Sequence, residues 1–202
     1  RPKSSAASDV YKRQPYYRGN DEFKMHHQFQ KHLHSRRDEF CVPDNAFNGT
    51  GYSTIRSDNR IHLEYPEFGS YLNEAISKYD DKLQCTHAWV NINPPGSYQT
   101  RHNHACCDMA GTYYVTVPEA DSGNIQFYNP SPTVEAMMIH QPYHCSTHLH
   151  IPTEKDILIW PGFLDHEVTY NYSDEERWSV SFMLSLTHLD RLERFPSMLV
   201  YD

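Results

Sequence analysis

The sequence predicts a mainly β protein with helices on its N-terminal side, an antiparallel sandwich or barrel with the helices packed outside. Three observations carry this. Two segments in the first 80 residues show helical spacing of apolar positions. After Cys85, short runs rich in β-branched and aromatic residues alternate with clusters of Pro, Gly, Asn and Asp. The length, 202 residues, suits one domain with one core.

The elements follow in order. Residues 1–14, RPKSSAASDVYKRQ, are small, polar and basic without periodicity, so a disordered tail is expected there. The stretch also resembles an artefact at the ends of translated environmental reads. A single domain is expected over 15–202, with a helical prelude at about 20–83 and a β core at about 85–186. One helix is predicted from about Asp21 to Phe40, with Phe23, His27 and Phe29 on a ragged face. A second runs from about Glu67 to Leu83, with Leu72, Ala75, Ile76 and Tyr79 at better spacing. Predicted strands are 86–93, 111–117, 124–129, 156–160, 166–170 and 177–184. The piece 130–155, with four histidines and Met137-Met138, has the length of a lid or binding loop.

Composition bounds the function. Aromatic residues make up 13% of the chain against 38% hydrophobic residues overall, and 15 tyrosines supply much of that share. Core and pocket walls therefore lean on aromatic rings. A net charge of −8 disfavours a nucleic-acid partner. The apolar runs are too short to cross a bilayer, and no charged-then-apolar leader opens the chain. Five cysteines (Cys41, Cys85, Cys106, Cys107 and Cys145) form no disulfide framework, so a reducing cytoplasm is expected.

Four features carry chemistry. His102 and His104 sit two apart ahead of a strand, and an extended chain turns such a pair to one side, where both imidazoles can grip one ion. Alone the spacing is unspecific, since His32/His34 and His148/His150 share it. His166 follows the Pro161-Gly162 turn and opens a strand, a rigid place for a third ligand. In RWSVSFML, alternation puts Arg177, Ser179 and Ser181 on one face and Trp178, Val180, Phe182 and Leu184 on the other. A buried guanidinium needs an anion, and its planar fork matches a carboxylate. In GTYYVTV, Thr112, Tyr114 and Thr116 share the polar face, so the Tyr114 hydroxyl is positioned to meet the same carboxylate. The stretch 166–182 is expected to be a hairpin turning near 171–176, with His166 and Arg177 on neighbouring strands. Their offset is on the order of 10–15 Å at about 3.3 Å per residue, the span of a five-carbon diacid plus an Arg side chain.

Taken in order, WVNINPPGSYQTRHNHACCDMAGTYYVTVP, SGNIQFYNP, IPTEKDILIWPGFLDHEV and RWSVSF resemble a group of 2-oxoglutarate- and Fe(II)-dependent oxygenases. The likeness covers roughly Trp89 to Phe182 and implies a double-stranded β-helix, or jelly roll. It implies an iron held by His102, His104 and His166, and 2-oxoglutarate held at its distal carboxylate by Arg177, Ser179 and Tyr114. It further implies an O2-dependent dioxygenase, with succinate and CO2 released as a C–H bond of a small molecule or peptide side chain is hydroxylated. His104 stands where the wider superfamily has an acid. Three neutral imidazoles leave the ion its full charge and make zinc a stronger competitor than at a two-His, one-carboxylate site. Asp108 is the alternative third ligand. Two other readings stay open: a cupin-like three-histidine metalloenzyme without 2-oxoglutarate, and a non-catalytic ligand-binding jelly roll. The prime substrate and the oligomeric state, a homodimer included, stay open too.

Overall fold

The computed structural model describes residues 17–19, 22–42, 50–104, 106–131, 147–187 and 190. The expected tail and the segment 132–146, with His140 and His144, lie outside the described residues.

Among the described residues, ten strands form two antiparallel sheets. They are β1 (Tyr17–Gly19), β2 (Tyr52–Ser53), β3 (Leu83–Asn93), β4 (Gln99–His102), β5 (Met109–Thr116), β6 (Ile125–Tyr128), β7 (Thr147–His150), β8 (Ile157–Pro161), β9 (His166–Val168) and β10 (Arg177–Leu186). The larger sheet has the order β1-β8-β5-β10-β3-β2, and the smaller has β4-β9-β6-β7. This is the jelly-roll layering, with β10 central in the larger sheet between β5 and β3.

The helices are α1 (His26–Ser35), α2 (Arg37–Phe40), α3 (Ile61–Glu64) and α4 (Pro66–Tyr79). α4 begins with Pro at its first position and buries Phe68, Leu72, Ala75 and Ile76, an i, i+4, i+7, i+8 stripe. α1 buries His26, Phe29 and Leu33. The single helix expected over 21–40 is in fact two. It starts later and breaks at Arg36, whose guanidinium reaches Glu39 and Glu64, each at 2.8 Å. The second helix also ends earlier than expected. Asp80 leaves helical geometry and its carboxylate accepts the Lys82 N–H, so Leu83 opens β3 instead of closing α4.

The two faces of the larger sheet bury different things. The helix-facing side packs Val90 and Ile92, Tyr113 and Val115, Ile157 and Ile159, and Trp178, Val180, Phe182 and Leu184 against α1 and α4. Phe29 and Phe68 stack at 4.4 Å in this layer. Each such side chain contributes about 1.5–3 kcal/mol on burial. The other side, with Ala110, Tyr114, Leu158 and Trp160, meets Ile125, Phe127 and Leu164 from the smaller-sheet side. The alternation expected for β10 therefore holds.

Three expectations need correction. Thr116 does not share a face with Tyr114. The β5–β10 register shifts between Trp178 and Ser179, and Thr116 Oγ1 turns toward α1, where it accepts from Gln30 Nε2. β9 and β10 are not a hairpin, because β9 pairs with β4 and β6 while β10 pairs with β3 and β5. Asn171 anchors the connection that crosses between sheets, its Nδ2 donating to Asn93 O and Glu175 O. Finally, 147–150, expected to be part of a long loop, is a strand, and His150 in it is buried and paired with Asp156 at 3.1 Å.

Candidate active site

A cavity of about 390 Å³ opens between the sheets. His102, His104, His166, Tyr114, Arg177 and Ser179 all line it. The sequence-predicted site residues thus converge, although they come from both sheets and one loop.

His102 ends β4 directly opposite His166, which opens β9. Their rings are 4.3 Å apart, and the His104 ring is 5.2 Å from each. One ligand nitrogen from each histidine lies within 4.8 Å of the others. His104 is outside the strand, so simple i, i+2 alternation does not place it. Its N–H donates to Gly162 O (2.8 Å) and its carbonyl accepts from Cys107 N (3.1 Å). Gly162 is required at this crossing, since a Cβ there would sit 2.4 Å from Cys107 O and 2.7 Å from His104 O. Asp108, the alternative ligand, turns away and accepts the Leu186 N–H at 2.9 Å.

The nitrogens suit a metal. His102 Nδ1 donates to Thr100 O (2.7 Å) and His166 Nδ1 to Leu164 O (2.9 Å), which fixes both tautomers and leaves each Nε2 with a lone pair. Gln99 Nε2 donates to His102 Nε2 (3.0 Å), so a metal bound at that nitrogen would have to displace the amide. Burial pushes the His166 pKa down to about 3 and the His104 pKa to about 4, and also lowers that of His102, so all three rings are neutral near pH 7. Neutral imidazoles are what a divalent ion needs. Asp165, just before β9, ties it to β4 and the loop that follows, accepting from Arg101 Nε (3.0 Å) and Asn103 Nδ2 (2.8 Å). The hydrogen bond from Asn103, aided by Arg101, holds its carboxyl below the usual range.

A second trio, His26, His27 and Glu154, has metal-like proximity. There the His26 ring is already committed, to Tyr113 Oη and to Glu154 Oε1, each at 2.8 Å. It reads as a structural hydrogen-bond chain beneath α1.

Arg177 is 2% exposed. Its Nη1 donates to Gly123 O (2.8 Å) and its Nη2 to Asn93 Oδ1 (3.0 Å), while Nε has no partner among the described residues. No carboxylate among the described residues pairs with it. Its guanidinium carbon lies 5.9 Å from the Tyr114 ring centre. Gly123, at φ +81°, makes room for it, because a Cβ there would lie 3.3 Å from Nη1 and 2.5 Å from Thr169 O. Ser179 lies opposite Tyr114 across the β10–β5 pair, so the three groups share one wall. A buried cation without a counter-ion costs several kcal/mol, which an arriving carboxylate removes.

Sequence reasoning missed Gln99, Asn91, Asn93, Trp160 and Asp165. For Asn91 and Asn93 a signal existed, since alternation in WVNIN puts Trp89, Asn91 and Asn93 on one face. Trp160 packs on His166 with ring centres 4.9 Å apart, and nothing in the run DILIW singles it out.

Comparison with known proteins adds a family likeness. Residues 87–183 match a family model described as "Putative 2OG-Fe(II) oxygenase". Among curated proteins, none matches the chain. Solved structures match at the level of fold. A Pseudomonas putida prolyl-4-hydroxylase aligns with a TM-score of 0.56 and 11% identity, covering 88% of this chain and 96% of that one. A Trichoplax adhaerens prolyl hydroxylase, solved with a hypoxia inducible factor peptide fragment, gives 0.59 and 14%, covering 96% and 90%. HygX from Streptomyces hygroscopicus, with nickel and 2-oxoglutarate bound, gives 0.61 and 10%, covering 90% and 86%. The matched segment carries the three histidines, Tyr114, Arg177 and Ser179, and in that segment the chain is similar to the 2-oxoglutarate- and Fe(II)-dependent oxygenases.

Proposed function

We propose that the chain is an Fe(II)- and 2-oxoglutarate-dependent dioxygenase that hydroxylates a C–H bond of a small molecule or peptide side chain. The observation that carries this is the pairing of two incomplete sites in one cavity: three converging neutral imidazoles, and a buried guanidinium with no anionic partner among the described residues.

His102, His104 and His166 hold the metal. Bound there with 2-oxoglutarate, Fe(II) would activate O2, the oxidant, with succinate and CO2 as co-products. The residues of the chain orient and protect. Arg177 meets the distal carboxylate of 2-oxoglutarate as the fork that a carboxylate fits, Ser179 adds a hydroxyl donor, and the Tyr114 hydroxyl closes the third side. Asn93 and Gly123 hold the guanidinium in place before the diacid arrives. Trp160, Phe127, Leu164 and Ile125 form the dry wall beside His166 and Tyr114.

The three-histidine set departs from two histidines and a carboxylate. It leaves the ion two net positive charges, which strengthens its attraction for the dianionic cosubstrate and weakens discrimination against zinc. A metalloenzyme with no use for a keto acid would leave the Arg177 wall without a role. The test is product analysis. Aerobic protein with Fe(II) and 2-oxoglutarate is expected to form succinate, and the same protein with Zn(II) none. Failure to form succinate with Fe(II), at any ratio of metal to protein, would overturn the proposal.

A further inference from the structure

The cavity has a wall that the proposed centre does not use. Ser53 and Arg56, from β2 and the 3₁₀ turn at Thr54–Arg56, form it with Trp89 and Asn91 of β3. Ser53 lies opposite Asn91, and Asn91 lies opposite Ser179, so this wall adjoins the Arg177 strand on the β2 side. Two buried polar atoms here, Ser53 Oγ and Asn91 Oδ1, have no hydrogen-bond partner among the described residues. The other amide atom of Asn91 is taken, with Nδ2 donating to Ser181 Oγ at 2.7 Å. Arg56 is exposed at the edge of the wall, and no acid among the described residues pairs with it.

The charge pattern is selective. The chain carries 26 acidic residues and a net charge of −8, yet among the described residues no Asp or Glu lines the cavity. The charged side chains among its described lining residues are two guanidiniums, Arg177 and Arg56, and one 2-oxoglutarate has a carboxylate for the first of them only. A cationic substrate would find no partner for its charge, and desolvating it there would be costly.

We infer that this wall is the prime-substrate subsite, and that it takes a small oxyanion-bearing molecule, a carboxylate or a phosphate, that also carries a neutral N–H or O–H donor. Arg56 binds the oxyanion, Asn91 Oδ1 accepts the donor, and Ser53 Oγ serves either group. The inference rests on the oxygenase reading, which assigns the Arg177 wall to the cosubstrate.

The test uses the full chain loaded with redox-inert Zn(II) and saturating 2-oxoglutarate, so that the Arg177 wall is filled. Lactate and glycerol 3-phosphate are the anionic probes, with lactamide and glycerol as their neutral counterparts. Binding is read by saturation-transfer NMR on the probe, and 2-oxoglutarate binding is measured on the same samples. At least one anion is expected to bind while its neutral counterpart does not, and which anion binds separates carboxylate from phosphate. Arg56→Gln is expected to weaken that binding by about tenfold or more, the effect of losing a charged hydrogen bond. Arg56→Lys is expected to restore part of it, with 2-oxoglutarate binding unchanged in both variants. Equal binding of neutral probes, no binding of either anion, or indifference to Arg56→Gln would overturn the subsite while 2-oxoglutarate still binds. Failure of the wild type to bind 2-oxoglutarate would instead overturn the oxygenase reading and this assignment with it.

Discussion

Arg177 concentrates the chemistry at the residue scale. Burial pushes its pKa down, and only Tyr114 opposes that, so the fold holds a cation at a cost that a bound diacid offsets. Arg177→Leu is expected to weaken 2-oxoglutarate binding by about 10²-fold, the loss of a bidentate charged contact, while Zn(II) affinity stays near wild type. Paired isothermal titrations with metal and with diacid check this. A parallel loss of both affinities would mean that Arg177 shapes the whole cavity instead of one wall. Arg177 and Ser179 were legible in the sequence because strand alternation has a period of two, and RWSVSF keeps to it. His102 and His166 were legible as ligand types, but their contact at 4.3 Å depends on strand pairing across about 60 residues, which spacing alone does not report.

At the element scale the deciding piece is the Pro161-Gly162 turn where it crosses the loop after β4. Gly162 accepts the His104 N–H through its carbonyl and leaves no room for a methyl group against two backbone carbonyls. Gly162→Ala is expected to displace His104 and lower metal affinity by about tenfold or more, with the circular dichroism of the strands retained. Asp165→Ala removes the clamp from Arg101 and Asn103, and outer partners of this kind carry about 10–100-fold in metal affinity. Equilibrium dialysis against Zn(II) measures both variants, and unchanged affinity in either would dismiss its positioning role. The hairpin expected over 166–182 failed for a physical reason. Two strands with a short turn between them pair locally by default, but here both edges of β9 are already taken by β4 and β6. The missed β4 has only four residues, with half of them exposed, so it carries little hydrophobic alternation to detect.

The whole molecule has a titration signature. Burial lowers the pKa of His26, against the opposing pull of Glu154, and likewise lowers those of His34, His62, His102, His104 and His166 from 6.5. Below pH 6.5 the unfolded chain therefore binds more protons than the folded one, and stability falls as pH drops from about 6.5 toward 4. Asp156 adds a second loss at lower pH. Burial raises its pKa, but hydrogen bonds from His150, Thr153 N–H and Arg18 outweigh that and hold it at about 2, so its contribution is present above 3.8 and fades as pH falls toward 2. Urea midpoints of the metal-free chain are expected to be level from pH 7 to 8 and to decline steadily from 6.5 to 4. A flat profile across that range would contradict the burial of these rings. The two-layer β architecture was legible because many short alternating strands admit few other packings. The division of strands between the two sheets was not, because it is settled by contacts between residues far apart in sequence.

The joint use of one cavity by a metal and a diacid is tested most directly by an anaerobic titration. Fe(II) is added to the metal-free protein, then 2-oxoglutarate, and the visible spectrum is recorded for wild type and Arg177→Leu. The predicted result is a weak metal-to-ligand charge-transfer band in the wild type that saturates at one equivalent of iron and needs far more 2-oxoglutarate to develop in the variant. A wild type that binds iron yet develops no band at saturating 2-oxoglutarate would contradict it.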